Sequence, residues 1–231
     1  MMRAGAAAGA APPWPLLLGE LAAPWHWWRG VNASAAIAAG HDGGGRPVLL
    51  LPGFLADETR MSLLAGTLRL ANYRAKRWKQ GRNLGATATM LSDIVERIDA
   101  IRERYERPVT LIGWSLGGLY AREAAKCVGG AVDQVVTLGS PIAGDLRANH
   151  AWRLYERVAG HTIGEPPVPL DFIRPPQPTV ALWSRRDGVV AAEQARGRAD
   201  QRDRAVEVDC THMGFVSDPA ALTAVLRVLA G

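Results

Sequence analysis

Val109-Thr110-Leu111-Ile112-Gly113-Trp114-Ser115-Leu116-Gly117-Gly118 decides the reading of this chain. An apolar, β-branched run leads into Gly-x-Ser-x-Gly, and the residues behind it, Leu119-Tyr120-Ala121-Arg122-Glu123-Ala124, have helix-like character. A serine placed between a strand and a helix in this pattern is a nucleophile elbow. The turn is tight, so the residues two positions either side of the serine must be small. Gly113 and Gly117 meet that need. Ser115 is expected in a strained conformation, its hydroxyl raised above the sheet and close to the positive end of the following helix.

Strand-like and helix-like segments alternate on both sides of the elbow. Before it come a buried strand at Val48-Leu49-Leu50-Leu51, a helix over 58–70 capped by Asp57, and a strand from Tyr73 to Trp78. Leu91, Ile94, Val95, Ile98 and Ile101 recur at helical spacing and predict a helix over 86–105. After the elbow, Gly129-Gly130 ends the helix, and strands follow at Val135–Leu138, Thr179–Trp183 and Val206–Val208. Asp218-Pro219 reads as an N-cap followed by proline at the first helical position, with Leu222, Val225, Leu226 and Leu229 as the buried stripe. Continuous apolar strands alternating with helices imply an α/β fold, a doubly wound and mostly parallel sheet covered by helices on both faces. Ligands of such sheets sit at the carboxyl ends of the strands.

Two segments break the alternation. Residues 1–45 form a lead-in that carries Trp14, Trp25, Trp27 and Trp28, half of the eight tryptophans in the chain. They are expected to flank the surface of the main domain, with peripheral membrane contact as the alternative. Within the main domain, residues 46–231, the stretch 142–178 carries prolines at 166, 167, 169, 175, 176 and 178 and is read as a short lid.

Composition narrows the function classes. The net charge is +5, but the arginines are scattered and lysine occurs only at 76, 79 and 126. Nucleic-acid faces show clustered basic residues, so a nucleic-acid partner is not expected. Cys127 and Cys210 lack metal-ligand spacing and read as two small buried hydrophobes. No metal or organic cofactor is expected. No apolar run reaches the length of a membrane span, and Leu16-Leu17-Leu18 is a poor signal-peptide core. A cytoplasmic protein is the resulting expectation.

A serine hydroxyl needs an adjacent base to attack a carbonyl. Five histidines are available: His26, His41, His150, His161 and His212. Only His212 follows the last strand, in Cys210-Thr211-His212-Met213-Gly214, where the chain order Ser–Asp–His puts the base. The base needs a carboxylate to fix its tautomer and stabilise its charged form. Asp187, in Ser184-Arg185-Arg186-Asp187-Gly188, follows the neighbouring strand and is preferred to Asp209, which shares a strand end with His212. The oxyanion donors are expected to be the backbone N–H groups of Leu116, next to the nucleophile, and Phe54, in Leu51-Pro52-Gly53-Phe54 after the first core strand. Trp114 and Leu55 are assigned to substrate binding, with packing beneath the elbow as the other reading of Trp114. Arg82 reads as a loop charge on the same rim.

These motifs, together with Thr-Leu-Gly-Ser-Pro at 137–141, resemble the α/β-hydrolase superfamily over about residues 46–230, and within it small lipase- and esterase-like proteins and relatives of the deacylase that remodels glycolipid anchors. The resemblance implies a serine hydrolase of carboxylic esters, acting on small-molecule or lipid esters through an acyl-enzyme. Pro52 stands where many lipases have His, and the lid is short for a lipase. The alternatives are an acyltransferase on the same scaffold, a membrane-associated lipid-remodelling enzyme, and a non-catalytic protein. An intact Ser115, Asp187 and His212 argues against the last.

Overall fold

The computed structural model describes residues 10–168 and 170–231. The first nine residues of the lead-in and Pro169 of the proline-rich stretch therefore lie outside the described residues. The elements in chain order are α1 (Trp14–Gly19), a 3-10 turn (Glu20–Ala22), α2 (Ala23–Ala38), β1 (Pro47–Leu51), α3 (Ser62–Leu70), β2 (Arg74–Arg77) and α4 (Met90–Tyr105). Then come β3 (Val109–Trp114), α5 (Leu116–Cys127), β4 (Val132–Leu138), α6 (Trp152–Ala159), β5 (Thr179–Trp183), α7 (Ala192–Arg196), β6 (Arg204–Glu207) and α8 (Pro219–Ala230).

The six strands form one sheet in the order β2-β1-β3-β4-β5-β6, and every pairing is parallel. Alternation along β1 sets the two faces. Val48 and Leu50 point into one core with Ile112, Val136 and Leu182, closed by Leu64 and Leu68 of α3 and by Leu222, Val225 and Leu226 of α8. Leu49 and Leu51 point into the other with Leu111 and Val135, closed by Ile94 and Ile98 of α4 and by Tyr120, Ala121 and Ala124 of α5. A sheet buried on both faces needs continuously apolar strands, and β1, β3 and β5 are buried at every position. Because every pairing is parallel, the carboxyl ends of β1, β3, β5 and β6 lie along one edge, and the strand order reverses between β1 and β3.

Several boundaries differ from the sequence-based expectation. The helix expected over 58–70 begins at Ser62, because the Asp57 carboxylate accepts from the Thr59 N–H and closes a local turn instead of capping the helix. The stretch 142–178 holds a helix, α6, that ends at Gly160 in the left-handed conformation. It is tied down at two places. Ala191 N–H donates to Ala148 O and His150 N–H to Val189 O, beside the Asn149–Val190 bridge. The buried Arg122 of α5 donates to the carbonyls of Gln201, Phe172 and Ile173.

The described part of the lead-in is helical and packs on the main domain. Ile37 and Ala38 of α2 join the core formed by α3 and α8. His26 Nδ1–H donates to Asp218 Oδ2 at 2.5 Å, tying α2 to the start of α8. The cysteines are both free; Cys210 is buried as expected, but Cys127 is exposed, with its thiol against the Glu123 carbonyl. Among the described residues no helix is long and apolar enough to cross a membrane.

Candidate active site

The elbow follows from backbone sterics. Ser115 has φ 53° and ψ −121°, a conformation that costs free energy for a residue with a side chain. Its N–H donates to Leu138 O at 2.8 Å and its carbonyl accepts from Gly118 N–H at 3.0 Å, so the strained turn is held from both sides. A Cβ on Gly113 would run into the backbone of Gly117 and Gly118, and one on Gly117 into the carbonyls of Leu51 and Pro52. Both glycines are required by close approach.

Asp187 stands in the loop after β5 and His212 in the loop after β6. Both are buried. His212 Nδ1–H donates to Asp187 Oδ2 at 2.8 Å, which leaves Nε2 with its lone pair. The other carboxylate oxygen, Oδ1, accepts from Val189 N–H and Val190 N–H, both at 2.8 Å. Ser184 Oγ donates to Cys210 O at 2.6 Å and so joins the two loops from below. Asp209, the rival acid, is directed outward and pairs with Arg186 at 3.1 Å. The other histidines are engaged elsewhere or lie apart. His26 is on Asp218, His150 donates to Pro12 O, and His161 sits between Tyr155 and Ala86.

Burial disfavours the charged form of His212. The Asp187 carboxylate, by charge and by hydrogen bond, outweighs that, with the charge of Glu20 adding to it, and holds the imidazole pKa above the ordinary histidine value.

The loop after β1 approaches the elbow, and Phe54, Ser115 and Leu116 line one cavity. Among the described residues the N–H groups of Phe54 and Leu116 have no hydrogen-bond partner. Leu55 has φ 60°, and its N–H donates to Asn83 O at 2.7 Å. Asn83 is fully buried, and its Nδ2 donates to Pro52 O at 2.8 Å. It therefore staples the loop on both sides of Phe54. Arg82, its neighbour, is exposed.

The cavity is partly open to solvent. Its walls are apolar: Leu116 and Leu119 of α5, Leu146, Trp152, Ile163 and Leu170 from the 142–178 stretch, and Val189 and Val190 beside Asp187. Trp114 and Leu55, assigned to substrate binding from sequence, are not among its lining residues. Trp114 is buried beneath the elbow, and its indole N–H donates to the His212 carbonyl at 3.1 Å. It ties the nucleophile strand to the histidine loop. Leu55 is partly exposed and serves the loop through its backbone. The apolar walls come instead from positions whose only sequence signal was hydrophobicity in a proline-rich stretch.

Two residues with no sequence signal stand out. Asn83 is one. The other is Glu20, whose carboxylate reaches the Asp187 and His212 loops from the lead-in.

The chain has the α/β-hydrolase fold, as lipases and esterases of known structure do. Residues 73–163 match the family model described as PGAP1-like alpha/beta domain. Bacillus licheniformis lipase BlEst2 superposes with a TM-score of 0.60 at 16% identity, over 82% of this chain and 94% of that one. The Pyrococcus furiosus esterase Pf2001 gives 0.59 at 17% identity, over 82% and 83%. Aspergillus fumigatus lipase B gives 0.53 at 18% identity over 84% of this chain, which spans 55% of the length of that lipase. No curated protein sequence matches the chain.

Proposed function

We propose that the protein is a serine hydrolase of carboxylic esters. The buried Asp187–His212 pair, whose histidine loop is tied to the Ser115 elbow by the Trp114 indole bond to the His212 carbonyl, carries this reading. Ser115 Oγ attacks the ester carbonyl as His212 Nε2 takes its proton. Asp187 keeps the proton on Nδ1 and stabilises the imidazolium that forms. The N–H groups of Phe54 and Leu116 receive the developing oxyanion, where each such donor is worth roughly 3–4 kcal/mol. The imidazolium gives its proton to the leaving alcohol, and His212 then activates water to cleave the acyl-enzyme.

The apolar cavity suits the acyl group of the ester. Its roof by Leu146, Trp152, Ile163 and Leu170 of the short 142–178 stretch fits a short or medium chain better than a long one. Hydrolysis of p-nitrophenyl esters from acetate to palmitate tests this. Highest kcat/KM at short to medium length is the expected result. An optimum at palmitate would overturn the assignment of acyl length, and inactivity across the series would overturn the esterase reading. Product analysis with glycerol present separates hydrolysis from acyl transfer.

A lipid surface is the partner supported by the lead-in. Trp14, Leu18, Leu21, Trp25 and Trp28 recur at spacings of four, three, four and three residues, and each is more than half exposed. Trp25 and Trp28 stack at 5.0 Å. The single acid between residues 14 and 38, Glu20, is turned to the opposite side, and Arg29 is exposed. Tryptophan-rich, acid-free helix faces favour the lipid–water interface. Substituting Trp25 and Trp28 together by Ala is expected to weaken co-sedimentation with phosphatidylserine-containing vesicles more than about tenfold, since each aromatic side chain contributes roughly 1.5 kcal/mol when buried. Hydrolysis of a soluble short-chain ester should stay unchanged. Equal sedimentation of both proteins would remove the lipid reading.

A further inference from the structure

Glu20 lies in the 3-10 turn between α1 and α2, 192 residues before His212 in sequence. Its Oε1 accepts from Gly188 N–H at 2.9 Å and from His212 N–H at 2.8 Å. Its Oε2 accepts from Met213 N–H at 2.9 Å. One carboxylate thus binds the residue that follows Asp187 and the two residues at the base. Backbone N–H groups aimed at one ionised acceptor form charge-assisted bonds, about twice as strong as neutral ones.

The surrounding backbone is built for this contact. A Cβ at Gly188 would collide with the Leu16 carbonyl and the Leu17 backbone, so glycine is required where the lead-in crosses the acid loop. His150 donates to Pro12 O at 2.7 Å, and the Trp14 ring lies 5.0 Å from the His150 ring. The segment from Pro12 to Glu20 is therefore fixed against the site at several points.

We infer that Glu20 is a positioning residue, which clamps the Asp187 and His212 loops in register and places a second negative charge behind the imidazolium formed during catalysis. The inference rests on the serine-hydrolase reading given above. The charged and titratable groups around His212 are few. Asp187 faces it from the β5 loop and Glu20 from the lead-in. Burial keeps the nearby Cys210 thiol protonated. Arg186 and Asp209 pair with each other at the surface, and His26 and Asp218 pair below the loop. Removing the Glu20 charge destabilises the imidazolium, so the histidine pKa falls. The limb of the kcat/KM profile that rises as His212 loses its proton then moves to lower pH. The plateau falls as well, because the two loops lose their common anchor.

The full chain and its Glu20→Gln, Glu20→Ala and Ser115→Ala variants would be assayed on a soluble short-chain p-nitrophenyl ester across pH. Glu20→Ala is expected to lower kcat about 10²-fold, as small misplacements of catalytic groups do, with KM within about twofold. Glu20→Gln keeps one acceptor oxygen and nearly the same shape. It is expected to lose less kcat but to show the same displacement of the limb to lower pH. If Glu20→Ala does not fold, Glu20→Gln decides. An unmoved limb in the folded variants overturns the positioning role, whatever happens to kcat, because a merely structural strut would leave the base's titration alone. An inactive Ser115→Ala together with Glu20 variants whose pH limb matches wild type would overturn this inference alone. Active Ser115→Ala would overturn the serine-hydrolase reading instead.

Discussion

Ser115→Ala is expected to lower kcat for ester hydrolysis about 10⁶-fold, the loss seen when a nucleophile that acts as one unit with its base is removed. Alanine keeps the Cβ that the elbow already accommodates at φ 53° and removes only the hydroxyl. The hydrogen bonds that hold the turn, Ser115 N–H to Leu138 O and Gly118 N–H to Ser115 O, come from the backbone and survive. Thermal stability should therefore match wild type. A steady-state assay with a soluble ester, alongside pre-steady-state measurement of the acylation burst, checks the expectation. Loss of both burst and turnover in a folded variant assigns the acyl-enzyme to Ser115. Retained turnover would require another nucleophile or a water-only mechanism.

Asp187→Asn is expected to cost about 10⁴-fold in kcat. The reason lies in the partners of the two carboxylate oxygens. Oδ1 accepts from Val189 N–H and Val190 N–H, so the amide oxygen of the substituted side chain must take that place. The amide NH₂ then faces His212 Nδ1, which today donates to Oδ2. Two donors cannot share that bond, so the imidazole proton moves to Nε2, and the nitrogen that should receive the serine proton no longer can. The pH profile gives a second readout. In the wild type, Asp187 and Glu20 hold the His212 pKa above the ordinary histidine value of 6.5 despite burial. Catalysis needs the neutral base, so activity should rise with pH through a midpoint above that value. With the Asp187 charge removed, the imidazolium loses its main support and the residual activity should rise at lower pH. An unchanged rate or an unchanged limb would mean that Asp187 does not act through His212.

The Glu20 contact also affects how the lipid-binding reading can be tested. Deleting the lead-in would remove the exposed tryptophan face and the anchor of both catalytic loops together. Substitution at Trp25 and Trp28 separates them, because those side chains stack on each other at the surface while Glu20 faces the site.

Much of the fold is legible in the sequence because its signals are local. The apolar run before Gly113 and the glycines flanking Ser115 require an elbow at the end of a strand, and Asp218-Pro219 begins a helix whose N-cap accepts from Ala220 N–H. Alternating strand and helix signals require a covered parallel sheet. The chain order Ser115, Asp187, His212 then selects the candidate triad from five histidines and several acids.

Tertiary structure decides what holds those groups in place. Nothing in the residues around position 20 announces a carboxylate that binds loops 168 and 192 residues away. A buried Asn83 stapling Pro52 and Leu55 looks, in sequence, like an ordinary loop asparagine. Trp114 has the same apolar signal whether it lines a pocket or, as here, donates its indole N–H to the His212 carbonyl. The Asp57 turn moved the start of α3 because a side-chain bond to the Thr59 N–H competed with capping. The elbow, the sheet and the order of the chemical groups are written into the chain locally, since periodicity and steric need act between residues near one another. The anchoring of the loops, the walls of the cavity and the two faces of the lead-in were decided only by folding, because a hydrogen bond to a distant backbone N–H places no requirement on the residues beside its acceptor in sequence.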